Sequence, residues 1–157
     1  MRFHILIVLI FMIFTVDPVK AEDDFSVIIE PESKALSLLE LPTVKHNGTD
    51  GYYYFVKVSV SNTSSIKKEF MVDDDCTFSS WKIEGQSVEI LSENCLKNIF
   101  EKVSLNPGEI YFANLRLWFP KKYSEDSLYF RIGFVEIKNY KEVSKPYWSD
   151  FIQLKIR

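Results

Sequence analysis

Glycine and proline are scarce in this chain, 5 and 6 among 157 residues. That scarcity excludes a collagen-like repeat and a Gly/Pro-rich disordered tract. Two cysteines are too few for a disulfide-dense miniprotein. Histidine is almost absent as well: beyond the first 21 residues only His46 remains, in a polar loop beside Asn47 and Gly48. A Ser-His-Asp or Cys-His arrangement would rest on that single ring, and no Gly-x-Ser-x-Gly elbow accompanies it. Gly-x-Gly-x-x-Gly, a phosphate loop and His-Glu-x-x-His are missing too. The residue types for a zinc site are lacking. We therefore expect no catalytic residue, no cofactor and no metal, and read His46 as a loop residue.

Long apolar runs are lacking with one exception. Ile5 to Val16 is interrupted only by Thr15, and about 12 apolar residues fall short of a hydrocarbon core of about 30 Å. Met1-Arg2-Phe3-His4 precedes the run, Asp17-Pro18 breaks it, and Val19 and Ala21 stand at the −3 and −1 positions before Glu22. This is the order of a cleaved secretory signal, residues 1–21, leaving 22–157 as one exported domain, periplasmic or secreted. Losing Arg2, Lys20 and Asp17 takes the formal charge from −3 to −4. A mildly acidic domain has no electrostatic reason to bind nucleic acid or anionic lipid. In an oxidising compartment Cys76 and Cys95 are expected to pair, closing a loop of about 20 residues worth roughly 3 kcal/mol. With no Cys-x-x-Cys present, a redox role is disfavoured.

What the chain does have is hydrophobic content (46%) and aromatic rings (15%), arranged with period two. Tyr54, Val56, Val58 and Val60 share one face of a strand. Phe70 and Val72, with Ile66, share another. Tyr111, Ala113, Leu115, Leu117 and Phe119 oppose Ile110, Phe112, Asn114, Arg116 and Trp118. Leu128, Phe130, Ile132 and Phe134 form a further stripe, and Ile152, Leu154 and Ile156 the last. Weaker strands are expected at 25–30, 35–41, 80–84, 87–91 and 101–105. Turn residues separate them at 47–51, 61–65, 84–86, 106–108 and 124–127. Many short strands without long helices predict an all-β, antiparallel sandwich. One segment dissents: Leu91, Cys95, Leu96, Ile99, Phe100 and Val103 recur at helical spacing behind Ser92, predicting a short helical turn near 92–100.

Val58-Ser59-Val60-Ser61-Asn62-Thr63-Ser64, then Cys76 and Trp81, then Cys95 and Leu105-Asn106-Pro107-Gly108-Glu109, resembles the order in bacterial exported immunoglobulin-like β-sandwich modules. Phe130-Arg131-Ile132-Gly133-Phe134 and Trp148-Ser149 fit the last strands of such a module. The resemblance implies a sandwich of about 7–9 strands. It departs from antibody-type domains in its cysteines, which are separated by only 18 residues. A bridge between them would pin a loop instead of crossing the core.

Asp73-Asp74-Asp75 is the densest acidic cluster, but neighbours in an extended chain point alternately and no Asp-x-Asp-x-Asp-Gly spacing occurs, so a solvated turn is favoured over a calcium site. Asn47-Gly48-Thr49 and Asn62-Thr63-Ser64 match the glycosylation triplet and are read as turns. The aromatic surplus is the one positive functional signal. Trp118 shares a face with Arg116, and Tyr147 and Trp148 lie near the last strand; Trp, Tyr and Arg are the residues that anchor interfaces. The competing reading for each is core filling. The expected function is an exported, non-catalytic binding protein that recognises a protein partner through an aromatic patch (Trp118, Arg116, Trp148, Tyr147) or an edge strand. The alternatives are an inhibitor or immunity-type protein of an exported enzyme, using a loop at 73–95, and a carbohydrate-binding or carbohydrate-active protein.

Overall fold

The computed structural model describes residues 23–30, 41–73, 80–85, 87–91, 100–123 and 127–155. The signal segment expected at 1–21, Cys76 and Cys95, Asp74 and Asp75, segment 92–99 and most of the strand expected at 35–41 lie outside the described residues. Thirteen strands follow in order: β1 (Phe25–Glu30), β2 (Thr43–His46), β3 (Thr49–Asn62), β4 (Lys68–Asp73), β5 (Trp81–Gly85), β6 (Glu89–Ile90), β7 (Phe100–Leu105), β8 (Ile110–Pro120), β9 (Ser127–Phe134), β10 (Ile137–Lys138), β11 (Lys141–Glu142), β12 (Tyr147–Trp148) and β13 (Ile152–Lys155). A 3₁₀ turn, Lys121–Tyr123, follows β8.

Every strand pairing is antiparallel, so the fold is an all-β antiparallel sandwich. One sheet runs β1-β3-β8-β6, with β2 continuing beside β1 along the same edge of β3. The other is centred on β9. Phe134 and Gly133 pair with both β5 and β12, and Phe130 pairs with both β5 and β13. β12 and β13 therefore follow one another along one edge of β9, with β5 on the other. The orders β1-β3-β8-β6 and β5-β9-β13 are those of a constant-type immunoglobulin sandwich. A third sheet, β11-β10-β4-β7, is an addition. Its strands come from the connections β3–β5, β6–β8 and β9–β12. All three gather where β1 begins, because Phe25 pairs with Asn62, Ser61 with Ile110, and the Phe25 and Phe134 rings meet at 5.4 Å.

The period-two stripes are the inner faces. Val56, Val58, Val60, Leu115, Leu117, Phe119, Leu128, Phe130, Ile132 and Phe134 are all buried and belong to one core. Each large side chain taken out of water contributes about 1.5–3 kcal/mol. Phe70, on β4, packs edge-on to Phe25 (5.4 Å) and Phe134 (5.0 Å), which ties the third sheet to the sandwich.

The structure corrects several local expectations. Phe100, placed by its spacing at the end of the helical turn near 92–100, instead opens strand β7, which otherwise covers the strand expected at 101–105. Ile66 sits in a bend before β4 and is exposed. The turn expected over 47–51 contracts to Asn47-Gly48, both with positive φ (48° and 79°). It closes a two-residue hairpin that makes Thr43–His46 a strand. Asn62 is only 1% exposed. Its amide nitrogen donates to the carbonyls of Ile66 (2.8 Å) and Leu105 (3.0 Å), while its oxygen accepts from Ser64 N–H (3.0 Å). An amide so enclosed has no room for a glycan, and it fastens the end of β3 to β7.

Candidate functional site

Along β3 and β8 the residues opposite the core stripes face outward. Ser26, Ile28 and Glu30 join them from β1. Ile28, Ser59 and Phe112 stand in one row across three strands; Ile110 is two residues removed from it along β8, and Phe55 four along β3. A sandwich normally gives this face to polar side chains. Here Phe55 (54% exposed), Phe112 (48%), Ile28 and Ile110 present apolar surface to solvent. Two cations lie over the rings instead of displacing them. Lys57 Nζ is 4.1 Å from the centre of Phe112, and the Arg116 guanidinium is 5.5 Å from that of Tyr53. Tyr53 in turn meets Phe55 edge-on at 5.8 Å.

Trp118 belongs to this outer face by register but is 4% exposed. As an exposed anchor it must be corrected. Its indole lies over Gly51, where a Cβ would overlap the ring nitrogen, and the His46 ring covers it at 5.1 Å. His46 Nε2 reaches Glu89 Oε2 at 3.0 Å, so β2 and β6 close over the tryptophan from opposite edges of the sheet. The indole N–H is left without a partner. Beside it is a cavity of about 240 Å³ lined by His46, Glu89, Ser87 and Lys122. His46, read from the sequence as a loop residue, is thus part of a lid over a buried ring.

The outer face of the second sheet carries Trp148. Its ring covers Gly133, where a Cβ would stand 2.8 Å from the indole. The Arg131 guanidinium lies between Trp148 (4.6 Å) and Phe151 (4.7 Å). Phe151 stacks on Tyr129 at 4.8 Å with planes 2° apart. Glu84 Oε2 accepts from Arg131 Nη2 (2.6 Å) and Nε (3.0 Å), fixing the guanidinium within the stack. Tyr129 is exposed and Trp148 half-buried. Tyr147, next in sequence, turns inward. Its ring meets Phe25 at 5.3 Å and its hydroxyl donates to Glu136 Oε1 at 3.1 Å. Burial first, then the adjacent carboxylate, pushes this phenol well above its ordinary pKa. Glu136 is itself buried; its Oε2 is 3.1 Å from Lys138 Nζ, within ion-pair range but outside hydrogen-bond geometry.

The four residues singled out from the sequence are therefore not one patch. Arg116 and Trp118 lie on the first sheet, Tyr147 and Trp148 on the second, with the core between them. Sequence reasoning missed Phe55, Phe112, Ile28 and Ile110, and the Tyr129–Phe151 stack. The signal was present as apolar residues at odd register positions opposite the core stripe. Among the described residues no three His, Cys, Asp or Glu side chains converge as metal ligands. Fold and surface define a class, an all-β antiparallel sandwich with an apolar outer face. No protein-family model matches the chain, and no curated protein does.

Proposed function

We propose that this is an exported binding protein, of the bacterial immunoglobulin-like kind, that recognises a protein partner through the outer face of β1, β3 and β8. The observation that carries the reading is the row Ile28–Ser59–Phe112, with Ile110 two residues along β8 and Phe55 four along β3, four large apolar side chains about half exposed on one face of the sheet. Aromatic groups with Arg at their margin are the composition of an interface centre, and contiguous apolar surface on a monomer marks interaction sites. The acidic balance of the chain favours a protein over a nucleic acid.

The test is cross-linking in the protein's own envelope extract, comparing wild type with Phe112→Ala. One dominant, saturable partner whose affinity drops by about 2 kcal/mol in the variant supports the reading. Equal recovery by both proteins, or none above background, overturns it. A second reading rests on Tyr129, whose exposed ring backed by Phe151 suits stacking on a sugar. Binding on a glycan array that Tyr129→Ala abolishes would favour it. The inhibitor reading depended on a loop at 73–95, but within that range Trp81–Gly85 and Glu89–Ile90 are strands β5 and β6, and residues 74–79, 86 and 92–95 lie outside the described residues.

A further inference from the structure

The third sheet has an opening along β4. On one edge β4 pairs with β7 over its whole length, Lys68 with Leu105 through Asp73 with Phe100. On the other edge, among the described residues, only Met71 is paired, with Ile137. The chain then turns away at Asn139 and Tyr140, both with positive φ, to form the β10–β11 hairpin. Among the described residues no strand pairs with the second edge of β4 over Lys68–Phe70. A cleft of about 700 Å³ lies alongside it, with Ile66, Phe70, Met71 and Ile137 in its lining. That volume is within the roughly 300–1,000 Å³ of ligand clefts, and an unpaired strand edge is a template for another strand.

The lining is also cationic. Lys67, Lys68, Lys102 and Lys138 reach it from β4 and its approach, β7 and β10, against the single carboxylate of Glu69. Glu69 is shared between Lys102 (2.8 Å) and Lys67 (3.7 Å), so one carboxylate serves two ammonium groups. Their proximity, Lys102 first, holds it below the usual carboxylate range. Lys68 is held by Asp24 and Lys138 by Glu136, but Lys67, Lys102 and Lys138 are half or more exposed. An incoming carboxylate finds donors on both sides of the open edge.

We propose that this cleft receives an extended acidic segment of a partner protein as an added strand on β4, its backbone pairing along Lys68–Phe70 and its carboxylates meeting Lys67, Lys102 and Lys138. The inference shares with the proposed function only the premise of a protein partner, and it uses a different surface. Strand addition supplies affinity through main-chain bonds and selectivity through alternate side chains. The probe is an acetylated, amidated ten-residue peptide alternating Glu and Val, titrated into the ¹⁵N-labelled chain. Expected are shifts in the amides of 66–71 and 137–139 and weaker binding as salt rises from low to physiological. About tenfold loss is expected in Lys67→Glu/Lys102→Glu. A peptide of the same sequence N-methylated at every residue should not bind, since neither of its edges can then donate to β4. Shifts confined to Phe55 and Phe112, equal binding of a Lys–Val peptide or of the methylated peptide, or no shift at millimolar peptide each overturn the proposal. The first of those results would leave the aromatic-face reading standing, while loss of that reading by Phe112→Ala would leave the cleft titration unaffected.

Discussion

Tyr147 has its ring in the core and its hydroxyl on a buried carboxylate, so ionising it would place a second negative charge against Glu136 in a poorly solvated space. In the unfolded chain the phenol titrates near its ordinary value, about 10. The folded pKa is raised above the unfolded one, so this contribution to stability is complete below about pH 10 and is lost as pH climbs toward the folded value. Spectrophotometric titration should find one of the eight tyrosines ionising only together with alkaline unfolding, and Tyr147→Phe should remove that late phase. Gly51 is a second position where one atom decides. A Cβ there would meet the Trp118 indole and the Phe119 carbonyl, neither a flexible chain end. Gly51→Ala should therefore destabilise by about 1–3 kcal/mol in denaturant unfolding, although alanine is ordinarily at least as good as glycine in a strand.

The passage from β12 to β13 shows why some elements could be read from the sequence only in part. Gly133 pairs with Trp148 and Phe130 with Ile152, so three residues, Ser149 to Phe151, oppose two on β9. This is a β-bulge, and it places Phe151 over Tyr129. Ser149 makes it tolerable: its Oγ accepts from Ile132 N–H (3.1 Å) while its own N–H donates to the Ile132 carbonyl (2.9 Å). Ser149→Ala leaves a buried N–H without a partner and should cost about 1–3 kcal/mol, read as a lowered unfolding midpoint with fast exchange at the Ile132 amide. The inner stripes were legible because both sides of a sandwich core demand the same period from Val56 to Val60, Leu115 to Phe119 and Leu128 to Phe134. The third sheet was not. Its strands β10 and β11 are two residues long and its members come from three separate connections, so no window of sequence contains the pairing. Phe100 fits the helical spacing of the segment before it as well as the strand after it, and the partner strand β4 decides between the two.

At the scale of the whole molecule, the candidate site was legible as a side of the sheet but not as an exposed surface. Trp118, Arg116 and Phe112 share one parity along β8, and period two assigns all three outward. Which of them meets solvent depends on what crosses the sheet from elsewhere. His46 from β2 and Glu89 from β6 close over Trp118, whereas among the described residues nothing comparable covers Phe112 or Phe55. The same face thus holds one ring that serves the fold and two that cost the fold little to lose, and thermal or denaturant unfolding can separate them. Trp118→Ala removes a buried indole and should destabilise by about 3–5 kcal/mol, so any loss of binding in that variant would report unfolding. Phe55→Ser with Phe112→Ser removes surface already half in water and should leave stability within about 0.5 kcal/mol per site, while partner capture falls and the solubility limit rises. If instead the double variant unfolds as readily as Trp118→Ala, the two phenylalanines belong to the core of the folded chain, and the outer face of β1, β3 and β8 is not a surface offered to a partner.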